Sequence, residues 1–157
     1  MKISKILIGI DDSKHAEHAA AYGFDIARKF SAAVGLVNIV EPLIMPETSA
    51  GVDPLMGSGM INSGIEDLEI IDIQKNQSEN IIEHTIKQLA GDLQVTHLTG
   101  YGSTADGIIE CGKEFGADLI VIGTHSRTGF DRFLMGSVAE HVVRHSEVPV
   151  LVVPFSS

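Results

Sequence analysis

Apolar positions along the chain alternate between two periods. KILIGI, Lys5 to Ile10, is a short, unbroken apolar run, as expected of a strand covered on both faces. Asp11, Asp12 and Ser13 end it and offer helix caps. Then Ala16, Ala19, Ala20, Gly23, Phe24, Ala27 and Phe30 recur at helical spacing. Residues this small predict a helix lying close on a sheet. AAVGLVNIV, Ala32 to Val40, predicts a second strand. No period follows in EPLIMPETSAGVDPLMGSGMINSG. It predicts a long irregular surface loop at about 41–63, either a functional lid or disordered, with methionines that suit an apolar contact surface.

A helix period returns from Ile65 to Leu89, through Leu68, Ile71, Lys75, Ser78, Ile82, Ile86 and Leu89. LQVTHLTG, Leu93 to Gly100, alternates as a third strand. Ser103 or Thr104 can cap a third helix, with Asp106 in its first turn and Ile108, Ile109, Gly112 and Phe115 toward the sheet. DLIVIG predicts the fourth strand, Gly136 to His145 a fourth helix, and VPVLVV a fifth strand. The order β-α-β-α-β-α-β-α-β predicts a single α/β domain over residues 1–157, an open five-stranded parallel sheet with helices on both faces.

Composition narrows the function. A net charge of -10 argues against nucleic acid and anionic membrane as partners. It leaves room for a locally positive phosphate site. The lone Cys111 sits in a helical apolar pattern and reads as a core residue. The start of the chain runs straight into strand sequence and no stretch is long enough to span a bilayer, so a soluble cytoplasmic protein without membrane insertion is expected.

Ligands of open α/β sheets bind beyond the carboxyl ends of the strands. Two polar, glycine-containing turns fall there: Gly9 to Ser13, and Gly123 to Ser137. Gly123 is read as a residue able to take positive φ. Gly136 and Ser137 open a helix whose unpaired amides and dipole suit an anion, with Arg127 adding charge. The alternative is that Gly123 merely ends a strand and Ser137 merely caps a helix; these residues alone do not choose.

The spacing Gly123-x2-Ser126-x9-Gly136-Ser137 resembles the nucleotide-binding signature of the universal stress protein family, G-x2-G-x9-G-[ST], with Ser126 at the second glycine. ILIGIDDS resembles that family's first strand with its terminal aspartate, and GSVAEHVVRHSEVPVLVVP its closing helix and strand. The resemblance implies an adenine nucleotide alpha hydrolase-like sheet of order 3-2-1-4-5, which sets strands one and four side by side. It implies ATP, with Mg²⁺, as ligand. Gly9, Asp11 and Ser13 would lie at the first turn, with Asp11 at the ribose or a phosphate-bound Mg²⁺. Backbone of Ile39 and Val40 would meet adenine. Ile122, Gly123, Thr124, Ser126 and Arg127 would line the triphosphate on one side, and Gly136, Ser137 and Val138 on the other. Serine at 126 adds a Cβ and resists positive φ, so ATP binding is expected to be retained or weakened rather than abolished. The resemblance further implies a homodimer paired through strand 149–154 and a nucleotide-responsive regulatory or signalling role with a protein partner. The alternative is a nucleotide-free interaction module of the same fold.

Other chemistries have less behind them. Receiver-domain acidic chemistry needs an aspartate ending strand three and a lysine ending strand five, where this chain reads HLTG and VVPF. There is no G-x4-G-K-[ST] and no G-x-G-x-x-G after the first strand. His141/His145 and His15/His18 share helix faces without an obvious third ligand. His125 lies in the polar loop, as open to solvent as to ligand. Ser13, Ser126 and Ser137 have no histidine and acid at triad spacing. No catalytic base is evident, so any ATP hydrolysis is expected to be slow.

Overall fold

The computed structural model describes residues 2–41, 63–124 and 135–155, the side chains of 63–68 excepted. The segments read as the long loop and as most of the polar loop, with Ser126, Arg127 and His125, lie outside the described residues.

The apolar runs become strands because both faces of the sheet are covered. β1 (Lys5–Gly9) is buried from Ile6 onward, and β2 (Ala33–Val40) and β4 (Leu119–Gly123) flank it. β3 (Val95–Tyr101) and β5 (Val150–Val153) form the edges. All pairings are parallel and the order is β3-β2-β1-β4-β5. Register aligns Ile8 with Leu36 on one side and with Val121 on the other.

Alternation splits the core in two. Ile6, Ile8, Val34, Leu36 and Val121 face α1 (Lys14–Phe30) and α2 (Ser63–Thr85). Leu7, Val37, Ile120 and Ile122 face α3 (Thr104–Phe115) and α4 (Ser137–His145). α1 packs as closely as its small residues suggest: a Cβ on Gly23 would lie 2.6 Å from Ile8 Cδ1. Phe30 departs from the expected stripe and is exposed, because the helix ends there and Ser31 turns the chain at φ 54°.

The expected second helix is α2 followed by one π turn, Ile86–Ala90. Ser78 and Ile82 are buried as its period requires, whereas Ile71 and Lys75 are exposed. The wider turn brings Ala90 into the core at the base of α1. In α3 the expected sheet-facing set holds, with Ile108 and Gly112 buried and Ile109 and Phe115 packed on the core. Among the described residues no helix is long and apolar enough to cross a membrane.

Candidate functional site: a cleft at the carboxyl edge of the sheet

The strand order reverses direction at β1, between β2 and β4, the position where open α/β sheets leave a crevice. Two adjoining cavities occupy it. The larger, about 720 Å³, has a floor from the ends of β1 and β2, a wall from α2 and a rim at Thr104 and Val138. That volume lies in the range of small-molecule sites. The smaller, about 60 Å³, lies between Asp11, Gly123 and Gly136. Ile10, Asp11, Thr104, Ile108 and Val138 line both, so the two join end to end.

Of the sequence-predicted site residues, Gly9, Asp11, Ile122, Gly123, Thr124, Gly136 and Val138 surround the narrow end. Ile39 and Val40 line the broad end. Ser13 lines neither. Its Oγ accepts from Ala16 N at 3.1 Å and caps α1, and its own N–H donates to Asp11 Oδ1 at 2.8 Å. Ser137 is the first residue of α4 and also lines neither cavity.

Gly123 is needed for a different reason from the expected one. It is not in the positive-φ region. A Cβ there would stand 2.9 Å from the His15 carbonyl oxygen, so glycine is what lets the first turn of α1 sit against the end of β4. Gly136 differs as well. Its amide is not unpaired: it donates to the Thr124 carbonyl at 2.6 Å, pinning together the two ends of the polar loop. Gly136 then becomes the N-cap of α4, with no side chain to cap it. Its carbonyl takes the first intrahelical bond, from Glu140 N at 2.9 Å. The amides of Ser137, Val138 and Ala139 therefore have no intrahelical acceptor, and Val138 and Ala139 line the narrow end.

At the broad end the backbone offer is narrower than expected. The Val40 carbonyl accepts from Gly102 N at 3.1 Å, and the Val37 carbonyl from Ile10 N at 2.9 Å. Successive residues of a parallel strand face opposite neighbours with their polar groups. Val37 faces β1, so Ile39 faces the same side, beyond the point where β1 pairing ends at Gly9. Its N–H and C=O are turned toward the cleft.

Several contributors lie outside the sequence-predicted set. Asn38 is buried and donates from Nδ2 to the Ile10 carbonyl at 2.8 Å, fixing the turn that carries Asp11. The signal was there: one amide inside AAVGLVNIV. Glu41 Oε1 accepts from Thr104 N at 3.2 Å and from the Thr104 hydroxyl, capping α3. α2 turns Gln74, Gln77 and Ser78 toward the cleft, and the Ser78 hydroxyl is buried with no hydrogen-bond partner. The pairing of Glu41 with Thr104 has no sequence signal, because the two lie 63 positions apart.

The remaining candidates are accounted for by packing. His141 Nε2 lies 2.8 Å from Asp106 Oδ1 and His145 Nδ1 lies 2.8 Å from the His141 carbonyl. The His141 hydrogen bond first, then that of Ser103, holds the Asp106 carboxyl below its ordinary value. His15 and His18 pack edge-on against Phe155, so the tail after β5 folds onto α1. Burial, reinforced by Glu114 and Glu110, pushes the Cys111 thiol up, away from nucleophilic character. Among the described residues no three metal-ligating side chains cluster.

Comparison with known proteins bears on this cleft. The profile of the universal stress protein family matches residues 2–154. A universal stress protein of Methanocaldococcus jannaschii is 33% identical over 151 residues, covering 95% of this chain and 81% of its own length. The solved structure of a second universal stress protein from that organism superposes with a TM-score of 0.79 at 25% identity, over 100% of this chain and 99% of its own. A universal stress protein crystallised in complex with cAMP superposes with a TM-score of 0.69 at 22% identity, over 99% and 100% of the two chains.

Proposed function

This chain belongs to the universal stress protein family, and from that premise we propose that its cleft binds an adenine nucleotide, ATP with Mg²⁺, as a regulatory ligand. The observation that carries the reading is the start of α4: a helix N-terminus whose N-cap residue, Gly136, offers no side chain to cap it, facing a crevice at the switch point of the sheet. Free amides and the helix dipole favour an anion there. The cAMP complex of a relative with the same fold supports an adenine nucleotide as the class of ligand.

Charge sets the orientation. The Glu41 carboxylate occupies the start of α3 at the broad end and repels phosphate there. The phosphates accordingly take the narrow end, by Gly123, Thr124, Gly136 and the amides of Ser137 and Val138; Ser126 and Arg127 are assigned to them on the sequence spacing alone. The base lies at the broad end against Ile10 and Val37, with the Ile39 backbone at its edge. Asp11 lies between and serves the ribose or the metal. One carboxylate fits Mg²⁺ as an ion carried mainly by phosphate oxygens and water, not as a resident metal. Bound Mg²⁺ neutralises phosphate charge beside Asp11.

We assign no catalytic residue to the cleft; the ligand acts by occupancy. The edge strand β5 pairs only with β4 and is half-buried along most of its length. An uncovered edge of this kind favours pairing with another strand, so residues 149–154 are assigned to a two-fold homodimer. Sedimentation of wild type against Val152→Lys tests that assignment: a dimer that becomes a monomer is expected, and an unchanged sedimentation coefficient contradicts it.

Calorimetric titration of Mg·ATP into wild type, Ser126→Gly and Gly136→Val tests the site. One ligand per chain in the first two, with loss in the third, is expected. Silence in both wild type and Ser126→Gly rejects the nucleotide reading. Binding only after Ser126→Gly favours the nucleotide-free interaction module.

A further inference from the structure

The contacts of His141 and His145 use only one ring nitrogen of each. His141 Nε2 lies 2.8 Å from Asp106 Oδ1, and His145 Nδ1 lies 2.8 Å from the His141 carbonyl oxygen. The Asp106 carboxyl is held below its ordinary value and is ionised near neutral pH. A carboxylate and a carbonyl can only accept, so both of those nitrogens carry the proton. The neutral rings therefore keep their lone pairs on His141 Nδ1 and His145 Nε2. The hydrogen bonds among the described residues take up neither one.

Histidines that ligate metals are held in this way. The nitrogen away from the ion donates to a carboxylate or a backbone carbonyl, which fixes the tautomer and the ring. Here one ring has each kind of partner. Positions 141 and 145 lie one helical turn apart, and their ring centroids are 4.1 Å apart and inclined by 32°. With metal–nitrogen bonds of about 2.0–2.1 Å, both rings are within reach of one ion. The pair is open to solvent: the His141 side chain is 40% exposed and His145 is exposed. His145 also ends α4, where the helix dipole favours positive charge. The neighbouring cation, Arg144, is paired with Glu140 at 2.8 Å.

We propose that His141 and His145 form a site for a divalent transition-metal ion at the C-terminal end of α4, with Asp106 as its positioning residue. Among the described residues no third ligating side chain joins them. Two imidazoles make an open site completed by water, and the ion is exchangeable rather than structural. Imidazole donors suit Cu²⁺, Ni²⁺ and Zn²⁺, with Cu²⁺ bound most tightly, whereas Mg²⁺ takes oxygen ligands. The site is separate from the cleft, since His145 stands about 12 Å along the helix from Ser137. It therefore does not depend on the nucleotide reading.

The test is a titration of Cu²⁺, supplied as its glycine complex, into the metal-free protein without nucleotide, followed by visible absorbance and calorimetry. One ion per chain is expected, with Ni²⁺ and Zn²⁺ weaker and Mg²⁺ silent. His141→Ala and His145→Ala should each weaken Cu²⁺ by about 100-fold and shift the visible band, as one nitrogen donor is lost. Asp106→Asn should weaken it about tenfold with the band in place, because both nitrogens still bind. His18→Ala, in the other histidine pair, should change nothing. All four side chains are at least partly open to solvent, so melting temperatures within about 3 °C of wild type are expected and separate lost binding from lost folding. No saturable Cu²⁺ site in wild type, or an affinity that survives both His141→Ala and His145→Ala, overturns the proposal. Unchanged affinity in Asp106→Asn overturns the part assigned to Asp106.

Discussion

Among the helices that begin at the carboxyl edge of the sheet, α1, α3 and α4 begin differently. α1 starts on Ser13, whose own hydroxyl accepts from the Ala16 amide. α3 starts on Ser103, which makes no capping bond; Glu41, from the end of β2, takes its place. α4 starts on Gly136, which has no side chain to offer. The first two ends are closed by oxygens of the protein itself and are thereby committed to the fold. The third receives no cap from its own N-cap residue. The same local physics, unpaired N–H groups in a helix's first turn, serves stability at two places and, in the function proposed above, recognition at one.

Supplying the missing cap should break that contrast most strongly. The Gly136 backbone, at φ -55° and ψ 152°, is one any residue adopts. Gly136→Asp is expected to lower ATP affinity by about 100-fold, through occupied amides and like charge. Its melting temperature should stay level or rise by about 1 to 2 °C. Calorimetry and thermal melting read both, and equal affinity contradicts the contrast. Gly123→Ala comes next. Its Cβ would meet the His15 carbonyl oxygen at 2.9 Å, so denaturant unfolding should show a loss of about 2 kcal/mol.

The self-capped ends should respond in stability. Ser13→Ala is expected to cost about 1 kcal/mol and to leave ATP affinity unchanged. Glu41→Ala should cost a similar amount, yet strengthen ATP binding about threefold, because it removes a negative charge from the cleft. The opposite signs at Glu41 and Gly136 sharpen the comparison: a carboxylate helps one helix start fold and would keep the ligand from the other.

The smallest effect concerns the link between α3 and α4. Hydrogen bonding to His141 and Ser103 holds Asp106 below the ordinary carboxylate value of 3.8. A depressed carboxylate contributes stability that is present above 3.8 and is lost as pH falls through its folded value. Asp106→Asn should therefore be slightly less stable than wild type near neutral pH. The two should converge as the pH drops below that value. Unfolding titrations between about pH 7 and 2 read this, and a constant gap at all pH values contradicts it.

Most of the fold was legible in the sequence because hydrophobic period is a local signal. KILIGI and DLIVIG could be placed without knowing their neighbours, and their strands run within a residue or two of the expected bounds. The π turn after α2 was not legible, since one wider turn leaves the apolar spacing nearly intact. At the site the pattern located the turns but not their pairings. Gly123 stands out in the sequence as a glycine, yet its reason is the His15 backbone, more than a hundred positions earlier. Gly136 reads in the sequence as a helix start, yet its amide donates to Thr124. Ser13 reads identically as cap or ligand contact until Ala16 is seen donating to it. Gln74 and Glu41 carried no local signal, for their bond spans 33 positions.

The start of α4 is the proposed seat of the ligand's phosphates. Backbone amide resonances of the protein titrated with Mg·ATP test this most directly. Saturable shifts centred on Ser137, Val138 and Ala139, with Ala16 and Thr104 nearly still, are the expected result. Shifts centred on the starts of α1 or α3, or none at α4 when ATP is bound, would contradict it.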